Sequence, residues 1–240
     1  MSLLRTEGLT KHFGGVAAVE DLALAVEPGE ILGLIGPNGS GKTTALNLLS
    51  GFLAPEKGRV WLADEEVTRM PPAALARRGL LRMFQMTRVF PRICAFDNLL
   101  TAGLARGLGE AESARRAGAL LDELTLEPVK YLDAGQLSGG QRKLLEFGMC
   151  FMEPPRIALL DEPFAAVHPV MRETMARFIR GRNAQGHAFL VVSHDMPIVV
   201  ELCHRAACMN AGRLIAVGAT RDVLKDRAVI EAYLGSGSHA

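Results

Sequence analysis

Excess charge of either sign is missing. Lys and Arg number 27 and Asp and Glu 26 in 240 residues, a formal net charge of +1. That balance points to no nucleic acid and to no acidic surface as a partner. Basic pairs such as Arg77-Arg78 and Arg115-Arg116 read as solvated helix faces. No apolar run approaches the ~20 residues needed to cross a bilayer. The start, MSLLRTEGLTKHFGG, lacks the charged-then-apolar order of a secretory signal, so a cytosolic protein is expected. Cysteine is sparse, four residues without a Cys-x-x-Cys pair, which argues against a disulfide framework and against zinc. Cys203, His204 and Cys208 match no usual metal spacing, and buried neutral thiols are expected there. No repeat of the solenoid kind is visible.

Nearly half of the residues are apolar, enough for one large domain or a core with a modest insertion. GEILGLIG (29–36) is a short apolar run closed by Gly and Pro, as in a buried parallel strand entering a turn. TTALNLLSGF then reads as a helix with Leu46, Leu49 and Phe52 on one face. GRVWLAD reads as a strand. From about Arg88 to Met152 apolar positions recur three or four apart, the pattern of a helical subdomain. Strand signals return at RIALLD and AFLVVS, with the helix-like MRETMARFIRG between them, so a parallel sheet covered by helices is expected. CMNAGRLIAVG reads as a closing hairpin and GSGSHA as a flexible tail. The expected organisation is α/β, with a core made of 1–87 and 153–235, a helical subdomain at 88–152, and a tail at 236–240.

GPNGSGKT, Gly36 to Thr43, fits Gly-x-x-x-x-Gly-Lys-Ser/Thr and lies between a strand and a helix, as a phosphate-binding loop must. Glycines at 36, 39 and 41 let the backbone wrap tightly and turn its N–H groups inward. The helix N-terminus adds partial positive charge. Pro37, Asn38, Ser40 and Thr44 complete the cradle. Lys42 can reach the β- and γ-phosphates of a nucleotide, and Thr43 can offer a hydroxyl to Mg²⁺.

Such a loop needs an acid at the end of a neighbouring strand to hold the metal. IALLDE supplies it: Asp161 for Mg²⁺, and Glu162, one residue on, to polarise a water for attack on the γ-phosphate. Without the loop, an Asp-Glu pair after an apolar run would read as an ordinary turn.

With these motifs in this order, the chain resembles the ATPase subunits of ABC transporters over nearly its whole length. LSGGQ, Leu137 to Gln141, looks like the family signature. Ser138 can cap the following helix, and Gly139 and Gly140 let the backbone approach a phosphate. The resemblance makes Gln85 the Q-loop glutamine, a metal or water contact that senses the γ-phosphate. It makes His194 the switch histidine and Phe13 the aromatic that stacks on adenine; His12 beside it reads as solvated. It implies an α/β P-loop NTPase (RecA-like) core with an N-terminal antiparallel β part and an inserted helical subdomain. It also implies a head-to-tail dimer, homodimeric or with a related subunit, in which Ser138, Gly139, Gly140 and Gln141 face the partner's nucleotide.

The opening, the Q-loop region RMFQMTRVFPRICAFDNLL and the ending AVIEAYLG resemble the ATPases of branched-chain amino-acid and related amide importers. That implies transmembrane permease subunits, a periplasmic substrate-binding protein reached indirectly, and a peripheral position on the cytoplasmic face of the inner membrane. A groove near Gln85, Arg88, Phe90 and Pro91 would receive a short permease helix. The span from Q-loop to signature is shorter than in many leucine-type members, a trait shared with urea-type importers and with lipopolysaccharide-export ATPases, which leaves the substrate open. Two rival readings stand further off. A soluble ABC protein of DNA repair or the ribosome usually carries two cassettes or a long coiled coil, and a non-hydrolysing switch would lack Glu162. His168 falls where the family's D-loop ends in Asp or Asn, and Val167 replaces the usual Leu. Either the imidazole supplies one substitute hydrogen bond, or its titration near pH ~6.5 makes dimer closure pH-sensitive.

Overall fold

The apolar runs ILGLI, IALLD and AFLVV are buried along their whole length, as strands covered on both faces are. The computed structural model describes residues 2–84, 88–165 and 167–235. In chain order its first elements are β1 (Leu4–Phe13), β2 (Val16–Leu22), β3 (Ala25–Val26), β4 (Ile31–Ile35) and α1 (Lys42–Leu49). Then come β5 (Lys57–Leu62), β6 (Glu65–Glu66), α2 (Pro72–Arg77) and β7 (Leu80–Met83), followed by α3 (Ala95–Ala105), α4 (Glu110–Glu123) and α5 (Gly139–Cys150). The chain continues through β8 (Ile157–Asp161), α6 (Pro169–Ala184), β9 (Ala188–Val192) and α7 (Met196–Leu202). It ends with β10 (Arg205–Asn210), β11 (Arg213–Ala219), α8 (Thr220–Val223) and α9 (Arg227–Gly235).

The chain divides into two compact units. One comprises residues 1–82, 156–163 and 183–240, the other 83–155 and 164–182. The first holds an antiparallel sheet ordered β2-β1-β5-β6, with β3 also on β1, and most of a six-stranded sheet ordered β11-β10-β4-β9-β8-β7. Pairings β10–β4, β4–β9 and β8–β9 are parallel, and β10–β11 is the expected hairpin. A single core joins Leu9, Val19 and Leu22 to Leu34, Leu159, Leu190 and, from α1, Leu46 and Leu49. Burial pushes the Cys203 thiol up to about 12 and the Cys208 thiol up to about 11, so both are neutral.

One helix ends earlier than its pattern suggests. Phe52 does not share a helical face with Leu46 and Leu49; α1 stops at Leu49. Gly51 takes φ +74°, and the N–H groups of Phe52 and Gly51 fold back to the carbonyls of Asn47 (2.9 Å) and Leu48 (3.3 Å). That is a Schellman ending. A Cβ on Gly51 would stand 2.2 Å from the Met70 carbonyl oxygen. Phe52 is left 47% exposed, with the Arg82 guanidinium 5.7 Å from its ring centre.

In the helical unit, α3, α4 and α5 pack around Leu99, Leu120, Leu121, Leu144 and Leu145. Phe147, Phe151 and Phe178 form a triangle of rings with centroids 5.0–5.1 Å apart, in tilted and edge-on contacts that aromatic quadrupoles favour. Asn98 is fully buried and satisfied. It accepts from the Phe90 N–H at 2.7 Å and donates to the Phe90, Ile93 and Cys94 carbonyls. One amide thus shapes the turn carrying Phe90 and Pro91.

Candidate functional site

The strand–loop–helix context required of GPNGSGKT is present: β4 ends at Ile35 and α1 begins at Lys42. Gly41, just before α1, has φ +103°, and a Cβ there would stand 2.2 Å from the Ala18 carbonyl oxygen. No other residue fits that conformation in that space. Pro37 and Ser40 are buried, Asn38, Gly39 and Thr43 are exposed, and Thr44 is half-buried. Lys42 is folded back onto its own loop, donating to the carbonyls of Gly36 (2.7 Å) and Pro37 (2.8 Å) and to Ser40 Oγ (3.3 Å). Burial holds its ammonium below the usual lysine range, against the opposing pull of Glu162, Cys208 and Asp161.

Asp161 closes β8 opposite Val192 of β9 and is 3% exposed. Glu162 leaves the strand at φ +49°, a left-handed conformation costing a non-glycine residue roughly 1 kcal/mol or more. Its N–H bonds to the Val192 carbonyl at 3.0 Å, and its Oε1 lies 2.9 Å from Nδ1 of His194, a largely exposed side chain. The loop lysine, both acids and His194 therefore belong to the same unit.

A further member escaped the sequence reading. Arg82 Nη2 donates to Asp161 Oδ2 at 3.2 Å, with each side chain 5% exposed. Its Nη1 donates to Asn47 Oδ1 and, at 3.0 Å, to Ser50 Oγ, both at the end of α1. Burial raises the Asp161 carboxyl above its ordinary range, and Arg82 offsets part of that rise. The only local signal is an arginine in a half-apolar strand, RGLLRMF, and nothing in the sequence says which acid it meets.

The signature motif lies in the helical unit and starts α5 with a full capping box. Ser138 Oγ accepts from the Gln141 N–H at 3.2 Å, and Gln141 Oε1 accepts from the Ser138 N–H at 2.9 Å. Arg142 donates to the Leu137 carbonyl at 2.8 Å. Gly139 is exposed and Gly140 half-buried, and Gln141 is engaged in the cap.

Two turns further along α5, Glu146 is 5% exposed, and its Oε2 has no hydrogen-bond partner among the described residues. Burial pushes its carboxyl up to about 7, despite a backbone bond from Arg88 and the nearby Lys143 charge. Between about pH 4.5 and 7 the folded chain keeps a proton that the unfolded chain releases, so this group's stabilisation is present below pH 4.5 and is lost as pH rises through 7. Relative to wild type, Glu146→Gln should match it near pH 4.5 and exceed it by on the order of 3 kcal/mol at pH 8, read from denaturant midpoints across that range. A constant difference between the two proteins at all pH values would refute the burial account.

Phe13 ends β1 half-exposed, with Lys11 Nζ 5.7 Å from its ring centre. His12 keeps a part-exposed side chain, and its Nδ1 lies 2.8 Å from Glu56 Oε2, where the Glu56 N–H also bonds to the Thr10 carbonyl. Gln85 and the tail at 236–240 lie outside the described residues. His168 stands at the start of α6, where its Nδ1 accepts from the Val170 N–H at 3.4 Å and its carbonyl accepts from Met171 at 2.9 Å.

A phosphate loop beside an acid pair on a parallel sheet is the architecture of the P-loop nucleotide hydrolases. A family profile described as ABC transporter matches residues 19–165, and one described as branched-chain amino acid ATP-binding cassette transporter matches residues 213–239. The chain is 34% identical to the probable branched-chain amino acid transport ATP-binding protein LivG of Archaeoglobus fulgidus, covering 98% of this chain and 96% of that protein. It is also 34% identical to the lipopolysaccharide export system ATP-binding protein LptB of Escherichia coli K12, covering 98% of both. The crystal structure of the ADP conformation of MJ1267, an ATP-binding cassette of an ABC transporter, superposes with a TM-score of 0.86 at 32% identity, over 98% of this chain and 99% of that one. The chain belongs to the ATP-binding cassette subunits of ABC transporters, and it is an ATP hydrolase.

Proposed function

We propose that this chain powers an importer of branched-chain amino acids or related small amides such as urea. The observation that carries the substrate class is the match of residues 213–239 to the branched-chain profile. Permease subunits would dock at the turn bearing Arg88, Phe90 and Pro91, with a periplasmic binding protein beyond them. No helix among the described residues is long and apolar enough to cross a membrane; membership of the ABC transporter family is what supports a peripheral place on the cytoplasmic face of the inner membrane.

In the mechanism we infer, Lys42 exchanges the loop carbonyls for the β- and γ-phosphate oxygens of ATP, and the loop N–H groups from Asn38 to Thr44 hold the rest. Phe13 offers its exposed ring to adenine. The donors suit Mg²⁺, a hard cation that takes oxygen ligands: the buried Asp161 carboxylate and the exposed Thr43 hydroxyl, with Gln85 as the family resemblance implies. Mg²⁺ would neutralise charge on the phosphates. Glu162 accepts the proton of the attacking water, and His194, 2.9 Å from it, orients that carboxylate and stabilises the γ-phosphate side. Ser138, Gly139, Gly140 and Gln141 serve a second copy or a related subunit, the capping box presenting their N–H groups to that partner's nucleotide.

Reconstitution in proteoliposomes with the cognate permease and binding protein tests the substrate. ATP-dependent uptake of labelled leucine, isoleucine, valine or urea is expected. ATP-dependent release of lipopolysaccharide, the cargo named for the LptB relative, with no uptake would overturn the import reading.

A further inference from the structure

The C-terminal helix reaches back to the phosphate loop. Tyr233, near the end of α9, accepts a hydrogen bond from the Gly36 N–H on its phenol oxygen at 2.7 Å, across 197 positions of sequence. Gly36 opens GPNGSGKT, and its carbonyl accepts from Lys42 Nζ, also at 2.7 Å. The two polar groups of one loop residue are thus held from different places: the C=O by the loop's own lysine, the N–H by a residue outside the loop. Nucleotide affects these two bonds differently. Lys42 must leave the Gly36 carbonyl to reach phosphate oxygens, whereas the Gly36 N–H can keep its bond to Tyr233. Burial pushes its phenol up to about 12, so the hydroxyl is neutral throughout the physiological range and keeps an acceptor oxygen facing the loop.

We infer that Tyr233 is a positioning residue for nucleotide binding: its hydroxyl fixes the first N–H of the phosphate loop while Lys42 changes partners. The C-terminal segment therefore acts as a strap on the nucleotide site. Residues 213–239, which match the branched-chain profile, contain this strap, so that segment has a task at the loop as well as at the end of the fold. The inference rests on reading GPNGSGKT as the phosphate site.

Tyr233→Phe keeps the ring and removes only the oxygen. In the full chain we expect its KM and dissociation constant for ATP to rise about fivefold, the effect of one lost hydrogen bond between neutral groups, with kcat at saturating ATP within about twofold of wild type. Amide hydrogen exchange at Gly36 in the nucleotide-free protein should accelerate about tenfold. A purely packing role for Tyr233 would move neither the KM-against-kcat split nor that single amide. Lys42→Ala, measured alongside, separates the two levels. If it loses ATP binding while Tyr233→Phe binds ATP and exchanges at Gly36 as wild type does, the strap is overturned. If Lys42→Ala binds ATP normally, the loop reading falls and the strap with it.

Discussion

Glu162→Gln should lower ATP turnover about a thousandfold, within the range ascribed to a positioned general base, while ATP affinity stays within about threefold of wild type. The asymmetry follows from geometry. The amide has nearly the volume of the carboxylate and keeps an oxygen toward His194, now 2.9 Å from Glu162 Oε1, so binding is undisturbed. It cannot accept a proton from water at neutral pH. The left-handed backbone at this residue, φ +49°, supports the same assignment, since strain of that kind persists where surrounding contacts over-determine it and clusters at functional sites. Turnover within tenfold of wild type, assayed with the permease present, would remove Glu162 from the chemistry.

The second large effect concerns stability. Arg82→Met should lower the thermal midpoint of the unit holding the sheets by on the order of 10 °C at pH 7, because breaking a buried ion pair by deleting one partner costs about 3–5 kcal/mol. The Arg82 and Asp161 side chains are each 5% exposed, so water cannot replace the lost counter-charge. The sign of the pH dependence also follows. The Asp161 carboxyl already lies above its ordinary range through burial, so its stabilising contribution is present below the unfolded value and is lost as pH rises through the folded one. Removing Arg82 raises the carboxyl further and widens the window of loss. The midpoint of Arg82→Met should therefore fall more steeply with rising pH than that of wild type, and Asp161→Asn in the same background should restore part of the loss. A midpoint within about 2 °C of wild type would show that the pair is solvated and energetically minor.

The legible parts of this protein are those encoded by neighbours in sequence. ILGLI, IALLD and AFLVV announce buried strands because continuous apolar runs of that length have no other compact use. GPNGSGKT announces a phosphate loop because Gly, Lys and Thr at that spacing, between a strand and a helix, meet the needs of a polyphosphate. Ser138 announces a helix start because a serine there can cap the helix that follows, and the structure adds Gln141 to close a full capping box. The helix after the loop was legible in type but not in extent. Periodicity carried the pattern on to Phe52, whereas the left-handed turn at Gly51 ends it at Leu49.

The sequence by itself determined the fold class, the order of the motifs and the family, because each rests on local spacing that backbone geometry translates directly. Only the tertiary structure decided that Arg82 meets Asp161, 79 residues away, that Tyr233 holds Gly36, and that Glu146 is buried enough to keep its proton near neutrality. Those outcomes depend on which distant groups share a low-dielectric interior. Desolvation and long-range pairing are properties of the packed chain, and no local pattern of residues specifies them in advance.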